Sequence, residues 1–486
     1  MGDAPTNGLP RSYEFVEGWG MTSGGHARVL RPRSVEEVQR CFEQAARDGT
    51  SLTLRGSGCS YGDASAPTGG HVLDLTRMNA ILSLDEDTGV AELEGGATIE
   101  QLWKYGLPRG FWPKVVSGTM YPTVAGAAAM NIHGKNNFKV GTFGDNLLEL
   151  DLMLPCGELR TCDRERNPDL FHAAVGGFGM LGCITRVKTR TQPVHSGELE
   201  VKGVSCHDLG EMMAYIDAST HVADYLVGWI DCFAGGDGLG RGLVHHARYL
   251  PPGADSRPEV TREVSYQELP GTILGFPKGE VWRILRLFNN DVGMRLMNAV
   301  KQQAGRLEGH KGWHRQSHAG FNFLLDYVPN WKFAYGRRPG NGLIQYQVFL
   351  PKETAHATLT EVLNRSRRRG HVSYLGVFKR HRPDPFWMTH SVDGWSLALD
   401  FKVTPQNRES LWACCDELTR VVLEAGGRFY FAKDLVLGYR AMLEAFPEDR
   451  REAFLSLKQE VDPAGVLDTA LFQRVFGGQG GYTASA

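Results

Sequence analysis

Three glycine-rich segments, each running into or out of a strand-like stretch, constrain this chain more than any other feature. They are "RGSGCSYGD" from Arg55, "SGTMYPTVAGAAAMNIHGKN" from Ser117, and "VGGFGMLGCI" from Val175. None can fill a core with side chains, so each must place its backbone close to something else. In the first, closely spaced glycines and serines after a strand let successive N–H groups converge as a nest, which binds phosphate oxygens without Lys or Arg. It is not the dinucleotide fingerprint that opens a helix, because the chain runs on from Gly62 and Asp63 through small residues to another strand. In the second, Ala125 to Ala129 would let the backbone approach a flat ligand, and Asn131, His133, Gly134 and Lys135 follow with donors and an imidazole. A buried imidazole satisfied by backbone is the plainer reading of His133. One long dinucleotide cofactor accounts for all three segments at once.

The rest of the chain reads as mixed α and β. From about Val29 to Arg190 short strands ("SLTLRG", "HVLDL", "VAELEGG") alternate with short helices. One helix is capped by Ser34 and another by Thr98, with Gly106 just past its periodic part. "LLELDLMLPCGELRTC" reads as a hairpin turned near Cys156 and Gly157, and "NPDLFHAAVGGFGMLGCITRVKTRT" as a helix, a glycine corner and a strand. Beyond about residue 195 come a long amphipathic stretch, "GEVWRILRLFNNDVGMRLMNAVKQQ", and strands such as "GLIQYQVFLP" and "WSLALDFKV". The dense "GWHRQSHAGFNFLLDYVPNWKFAYG" suits either a pocket wall or the aromatic core of a sheet.

Charge and cysteine content narrow the function. With 53 Lys and Arg against 55 Asp and Glu, the chain lacks the basic footprint of a nucleic-acid binder. Nine scattered cysteines with no CxxC pair and no zinc-site spacing point to free thiols in a reducing, cytoplasmic compartment, and to no metal. There is no apolar stretch of signal-peptide or membrane-spanning length. "MGDAPT" matches a loose myristoylation pattern that is common by chance, and "FGGQGGYTASA" reads as a mobile tail.

The three glycine segments resemble the FAD-binding domain of the vanillyl-alcohol-oxidase type. Further along, "NIHGKNNFKVGTFGDN", "GLIQYQVFLP", "SYLGVFKR", "GWSLALDF" and "GGRFYFAKD" resemble, in matching order, the decaprenylphosphoryl-β-D-ribose 2-oxidase family. The resemblance implies an α+β fold in which a two-subdomain FAD-binding domain (1–192 and 427–486) carries an inserted α+β substrate domain (193–426). It implies FAD bound by Arg55, Gly56, Ser57, Gly58, Cys59, Ser60 and Tyr61 at the pyrophosphate. Gly118, Thr123, Val124, Ala125, Gly126, Met130, Asn131, Ile132, His133, Ile184 and Tyr430 would lie along the flavin. His133 and Lys433 become the catalytic candidates, and Gln345, Gln347, Lys379 and Lys433 the substrate-binding ones. Read from the residues alone, Gln345 and Gln347 share one strand face that could be solvated, Lys379 could belong to a basic surface run, and Lys433 could pair with Asp434.

The implied activity is oxidation of a secondary hydroxyl of a sugar, free or carried on a polyprenyl phosphate, to a ketone. An NAD(P)H-dependent ketoreductase would complete an epimerisation. The alternatives are an aldonolactone or alditol oxidase acting on a free polyol with O2, and a non-catalytic flavin-binding component. A lipid substrate would imply peripheral contact with a membrane, through loops at "PPGADSRPEV" or "LEGHKGWHRQ". Either His133 or Lys433 could take the hydroxyl proton. Two departures from the family stand out: Ala398 replaces its cysteine near the flavin, and "HRPDPFWMTHSVDG" differs in texture from its counterpart, which bears on the sugar or its carrier. In the wider class many flavoproteins carry a histidine bonded to the ring where Cys59 stands here. Non-covalent FAD is therefore expected.

Overall fold

The segments that read as strands assemble into three main sheets, seen in a computed structural model that describes residues 11–273, 275–310 and 312–477. "MGDAPT" and nearly all of the glycine-rich tail lie outside the described residues. A four-stranded sheet has the order Arg11–Glu17, Gly24–Leu30, His71–Asp74, Leu52–Arg55. A second sheet runs Ile81–Asp85, Val90–Glu94, Cys183–Pro193, Leu147–Met153, Leu159–Asp163, and Phe111–Pro113 pairs with the far end of Cys183–Pro193. The third has eight strands, all antiparallel: His314–Ser317, Glu198–Cys206, Gly242–Tyr249, Tyr225–Ile230, Gly376–His381, Gly394–Val403, Gly342–Pro351 and Arg428–Phe429.

Local signals account for many boundaries. The helix Val35–Asp48 starts where the Ser34 hydroxyl accepts the Glu37 amide and ends at left-handed Gly49. Thr98 and Gln101 form a capping box ahead of Ile99–Gly106. That helix does not stop at Gly106: it tightens into a 3₁₀ turn, Leu107–Arg109, because Leu107 is buried, and the left-handed residue is Gly110. The hairpin of Leu147–Met153 with Leu159–Asp163 turns at Gly157, as its sequence suggests. The long amphipathic stretch is two helices, Val281–Phe288 and Asp291–His310, broken at Asn289 and Asn290.

The C-terminal helices Tyr439–Ala445, Glu448–Val461 and Ala470–Phe476 return to the first sheet. The Leu52 amide donates to the Val466 carbonyl, and the Thr53 hydroxyl to that of Asp468. Half-buried Arg474 sits between Asp63 (2.8 Å) and Asp434 (2.7 Å), locking the end of the first glycine segment to the stretch that carries Lys433. Among the described residues no helix is long and apolar enough to cross a membrane, and no group of His, Cys, Asp and Glu is placed to hold a metal. Seven of the nine cysteines are buried as small apolar residues.

Candidate active site

The glycine segments and one face of the eight-stranded sheet enclose a cavity of about 430 Å³. Its first wall is the loop after Leu52–Arg55: Arg55 to Ser60 all line it. Among the described residues, the amides of Ser57, Gly58, Cys59 and Ser60 donate to no protein atom, so four neighbouring N–H groups remain for a ligand. Arg55 lies beneath them, donating to Ser65 Oγ (2.9 Å) and the Glu17 carbonyl (3.1 Å). The second wall is the short helix Val124–Ala129, where Ala125, Gly126 and Ala129 present little bulk. Gly118, Thr123, Met130, Ile132, His133, Ile184 and Tyr430 also line the cavity.

Three of the expected cofactor residues do not. Val124 packs into the core, its amide taken by the Ala97 carbonyl. The Asn131 side chain turns away to accept the Gly144 amide (2.9 Å) and donate to Asp384 (3.1 Å). Tyr61 is buried behind the loop: its amide bonds Ala432 O, its carbonyl accepts from Gly20, and its ring supports Lys433.

The opposite wall is a lattice of alternating strand residues. Gln347 pairs across with Ala398, which pairs with Val377, next to Trp229; Gln345 pairs with Asp400. Period-2 alternation places Gln345, Gln347, Lys379 and Ala398 together on the cavity side, so the glutamines are not a solvated pair. Lys379 is enclosed and does not belong to a surface run. Lys433 is not paired with Asp434, which is held by Arg474; its ammonium sits 3.7 Å above the Tyr61 ring and lines the cavity.

His133 joins the two walls. Its Nε2 lies 3.0 Å from the Gln347 amide nitrogen and its Nδ1 3.4 Å from Lys379 Nζ. Burial, reinforced by Lys379 and by the rings of His381 and His390 close by, holds the imidazole well below its ordinary pKa, so it is neutral. The amide then donates to Nε2, and the ring proton on Nδ1 faces a lysine amine. That arrangement needs Lys379 uncharged, and burial lowers its pKa to about 7. Burial likewise lowers Lys433 and raises Asp400, each partly opposed by the other.

Sequence reasoning missed His381, His390, Asp400, Trp229, His245, Lys301 and Asn322. His381 and Asp400 were within reach of the alternation rule, being two residues from Lys379 and Ala398 on named strands. His245, Lys301 and Asn322 come from distant elements that only the fold brings to the cavity. The aromatic-rich stretch 312–336 serves both readings: Asn322, Leu324 and Leu325 reach the cavity, whereas His318 packs at a tilt against Trp112, and Trp331 against Trp19.

Residues 26–163 match the FAD binding domain family. The decaprenylphosphoryl-beta-D-ribose oxidase of Mycolicibacterium smegmatis is 30% identical over 479 residues, 97% of this chain and 99% of that one. The chain belongs to this family. It is an FAD-dependent oxidoreductase of α+β fold. More distant members of the wider class match only in part: a putative D-arabinono-1,4-lactone oxidase of Neurospora crassa is 31% identical over 34% of this chain and 30% of its own. Cytokinin dehydrogenase 2 of Arabidopsis thaliana is 28% identical over 36% of this chain and 35% of its own.

The residues present fit FAD: open amides for the pyrophosphate and a small-residue wall for a flat ring. Cys59 lines the cavity 3.4 Å from Ser57 Oγ, and burial pushes its thiol pKa up, so the nucleophilic thiolate is disfavoured. Acid denaturation of the yellow protein is therefore expected to release FAD into the supernatant; colour retained in the pellet would show a covalent bond.

Proposed function

We propose that this enzyme oxidises the 2-hydroxyl of a polyprenyl-phosphate-linked pentofuranose to a ketone. The observation that carries the reading is the neutral His133 imidazole held between Gln347 and Lys379 on the sheet face of the cavity. The near-complete overlap with an oxidase named for such a substrate supports it. In the same reading residues 1–192 and 427–486 carry the cofactor and 193–426 the substrate, in line with the change of sheet after Pro193.

Oxidation of a secondary alcohol removes a hydride from carbon and a proton from oxygen. Bound FAD supplies the two-electron acceptor. The chain's own residues would supply the rest. Gln345, oriented by its 2.5 Å bond to Asp400, and Gln347 hold sugar hydroxyls. The Lys379 amine accepts the hydroxyl proton once the substrate hydroxyl takes the place of the His133 Nδ1–H at its one lone pair. Lys433, whose charge no carboxylate within 4 Å takes up among the described residues, stabilises negative charge that develops in the cavity. A product ketone calls for a reductase that returns hydride to the opposite face, so an NAD(P)H-dependent ketoreductase is the proposed partner, with both enzymes on the cytoplasmic side.

The deciding experiment is anaerobic bleaching of the flavin. A polyprenylphosphoryl ribofuranose should bleach it, and free ribose, alditols and aldonolactones should not. Rapid bleaching by a free polyol or lactone, with fast reoxidation by O2, would favour the lactone-oxidase reading; no bleaching by any of them would favour a non-catalytic one.

The acceptor assignment fixes a pH dependence. The free amine of Lys379 grows as pH rises through about 7, so the bleaching rate should climb over that range. Lys379→Met should lower the rate by about 10²-fold and flatten that limb. An unchanged limb would remove Lys379 from the role.

A further inference from the structure

The loops expected to meet a membrane do not reach the cavity: no described residue of 251–260 or 307–316 lines it. A different surface does stand out. On the helices Val281–Phe288 and Asp291–His310, Leu287 (75%), Val292 (79%), Leu296 (57%), Val300 (62%) and Leu307 (68%) are exposed, with Ile284, Phe288 and nearby Phe276. At 100° per residue, Val292, Leu296, Val300 and Leu307 fall within an arc of about 80°. The other side of the same helix is firmly docked. Asn298 donates to Asp231 (2.8 Å), Gln302 to Ser205 (2.9 Å), and Gly305 packs on Leu243. The apolar stripe is thus the outward side of an anchored helix, and lone exposed aliphatics elsewhere need no such explanation.

Charge identifies the occupant. With Lys301 turned to the inner side, residues 278–307 still carry Lys278, Arg283, Arg286, Arg295 and Arg306 against only Glu280 and Asp291, in a chain whose net charge is −2. We propose that this two-helix face docks on an anionic lipid bilayer, lying in the plane of the interface with its aliphatic stripe among the acyl chains and its cations at the head groups. A second copy of the chain would bring the same excess of cations against itself, which disfavours a self-complementary dimer here.

Docking in this way would also orient the cavity. Lys301 leaves the helix about 140° around the axis from the middle of the stripe, and there lines the cavity with its ammonium 4.4 Å from the Trp229 ring. One helix therefore has its outer side on the bilayer and its inner side on the site. The docking surface stands on its own observations; only its use in handing over a lipid-borne substrate rests on the polyprenyl-phosphate reading.

The test is co-sedimentation of the flavin-loaded enzyme, without substrate, with vesicles of phosphatidylcholine alone and of phosphatidylcholine mixed with phosphatidylglycerol. Binding should favour the anionic vesicles by at least about tenfold and fall with salt. The double variant Leu296→Glu/Val300→Glu, and separately Arg283→Gln/Arg286→Gln/Arg306→Gln, should each weaken it by at least about tenfold. Both should keep the flavin spectrum. No sedimentation with anionic vesicles, or equal binding by both variants, would overturn the proposal. So would a wild-type dimer that Leu296→Glu/Val300→Glu converts to monomer, which would assign the face to a second copy. Because vesicle binding is read without turnover, it can hold while bleaching by polyprenylphosphoryl ribofuranose fails, or the reverse.

Discussion

Lys433→Met is expected to give a yellow, folded protein whose substrate-dependent flavin bleaching is slower by about 10²- to 10³-fold, the usual cost of removing one preorganised charge from a water-poor site. The geometry supports an effect of this size. Lys433 sits on the Tyr61 face at 3.7 Å, which favours a cation there. Its sequence neighbour Asp434 is committed to Arg474, so the lysine charge is left facing the cavity. Methionine keeps the apolar stem and the contact with the ring, which confines the loss to the charge. Stopped-flow reduction under anaerobic conditions separates this from a binding defect: the limiting rate should fall while half-saturation changes little. A limiting rate within tenfold of wild type would remove Lys433 from the chemistry.

Gly56→Val is expected to abolish FAD loading while leaving a folded apoprotein. A Cβ at residue 56 would meet Thr123 Oγ1 at 2.1 Å and Thr123 Cβ at 3.2 Å. Thr123 caps the small-residue helix Val124–Ala129 through a 3.2 Å bond from the Gly126 amide, so neither the loop nor the helix can yield without shifting the other. Both are walls of the cavity, one with the open amides and one with the flat small-residue surface. Overpacking of this kind costs about 1–3 kcal/mol, which a chain of this size should survive as a fold. The amides would be displaced from one another, and a nest binds phosphate only when its N–H groups converge. The measurement is the flavin-to-protein absorbance ratio after purification and reconstitution, beside a melting curve. Full loading in Gly56→Val would show that the loop does not carry the pyrophosphate.

Much of this molecule was legible because its signals are local. Ser34, Thr98, Gly49 and the "PCG" turn act within a few residues, and their elements lie where the sequence places them. The failures mark where local rules yield to packing. Gly106 would have ended a helix had Leu107 not needed burial. Val124 and Asn131 sit inside a motif whose neighbours face the cavity, but on a helix and in a left-handed turn successive side chains diverge. Motif membership places a segment beside a ligand and does not say which of its side chains look at it.

By itself the sequence determined that three glycine-rich backbones must converge on one extended cofactor, that Gln345 and Gln347 share a face, and that the chain has no overall basic charge. Each follows from short-range facts: φ freedom, strand period and composition. Only the tertiary structure decided that this shared face is a cavity wall, that Asp434 belongs to Arg474 and leaves Lys433 open, and that His133 stands between Gln347 and Lys379. It alone brought His245 and Lys301 to the same cavity and left an aliphatic stripe on the outside. Those relations join residues hundreds of positions apart, and no local preference encodes them; they arise from closing an eight-stranded sheet over the glycine loops.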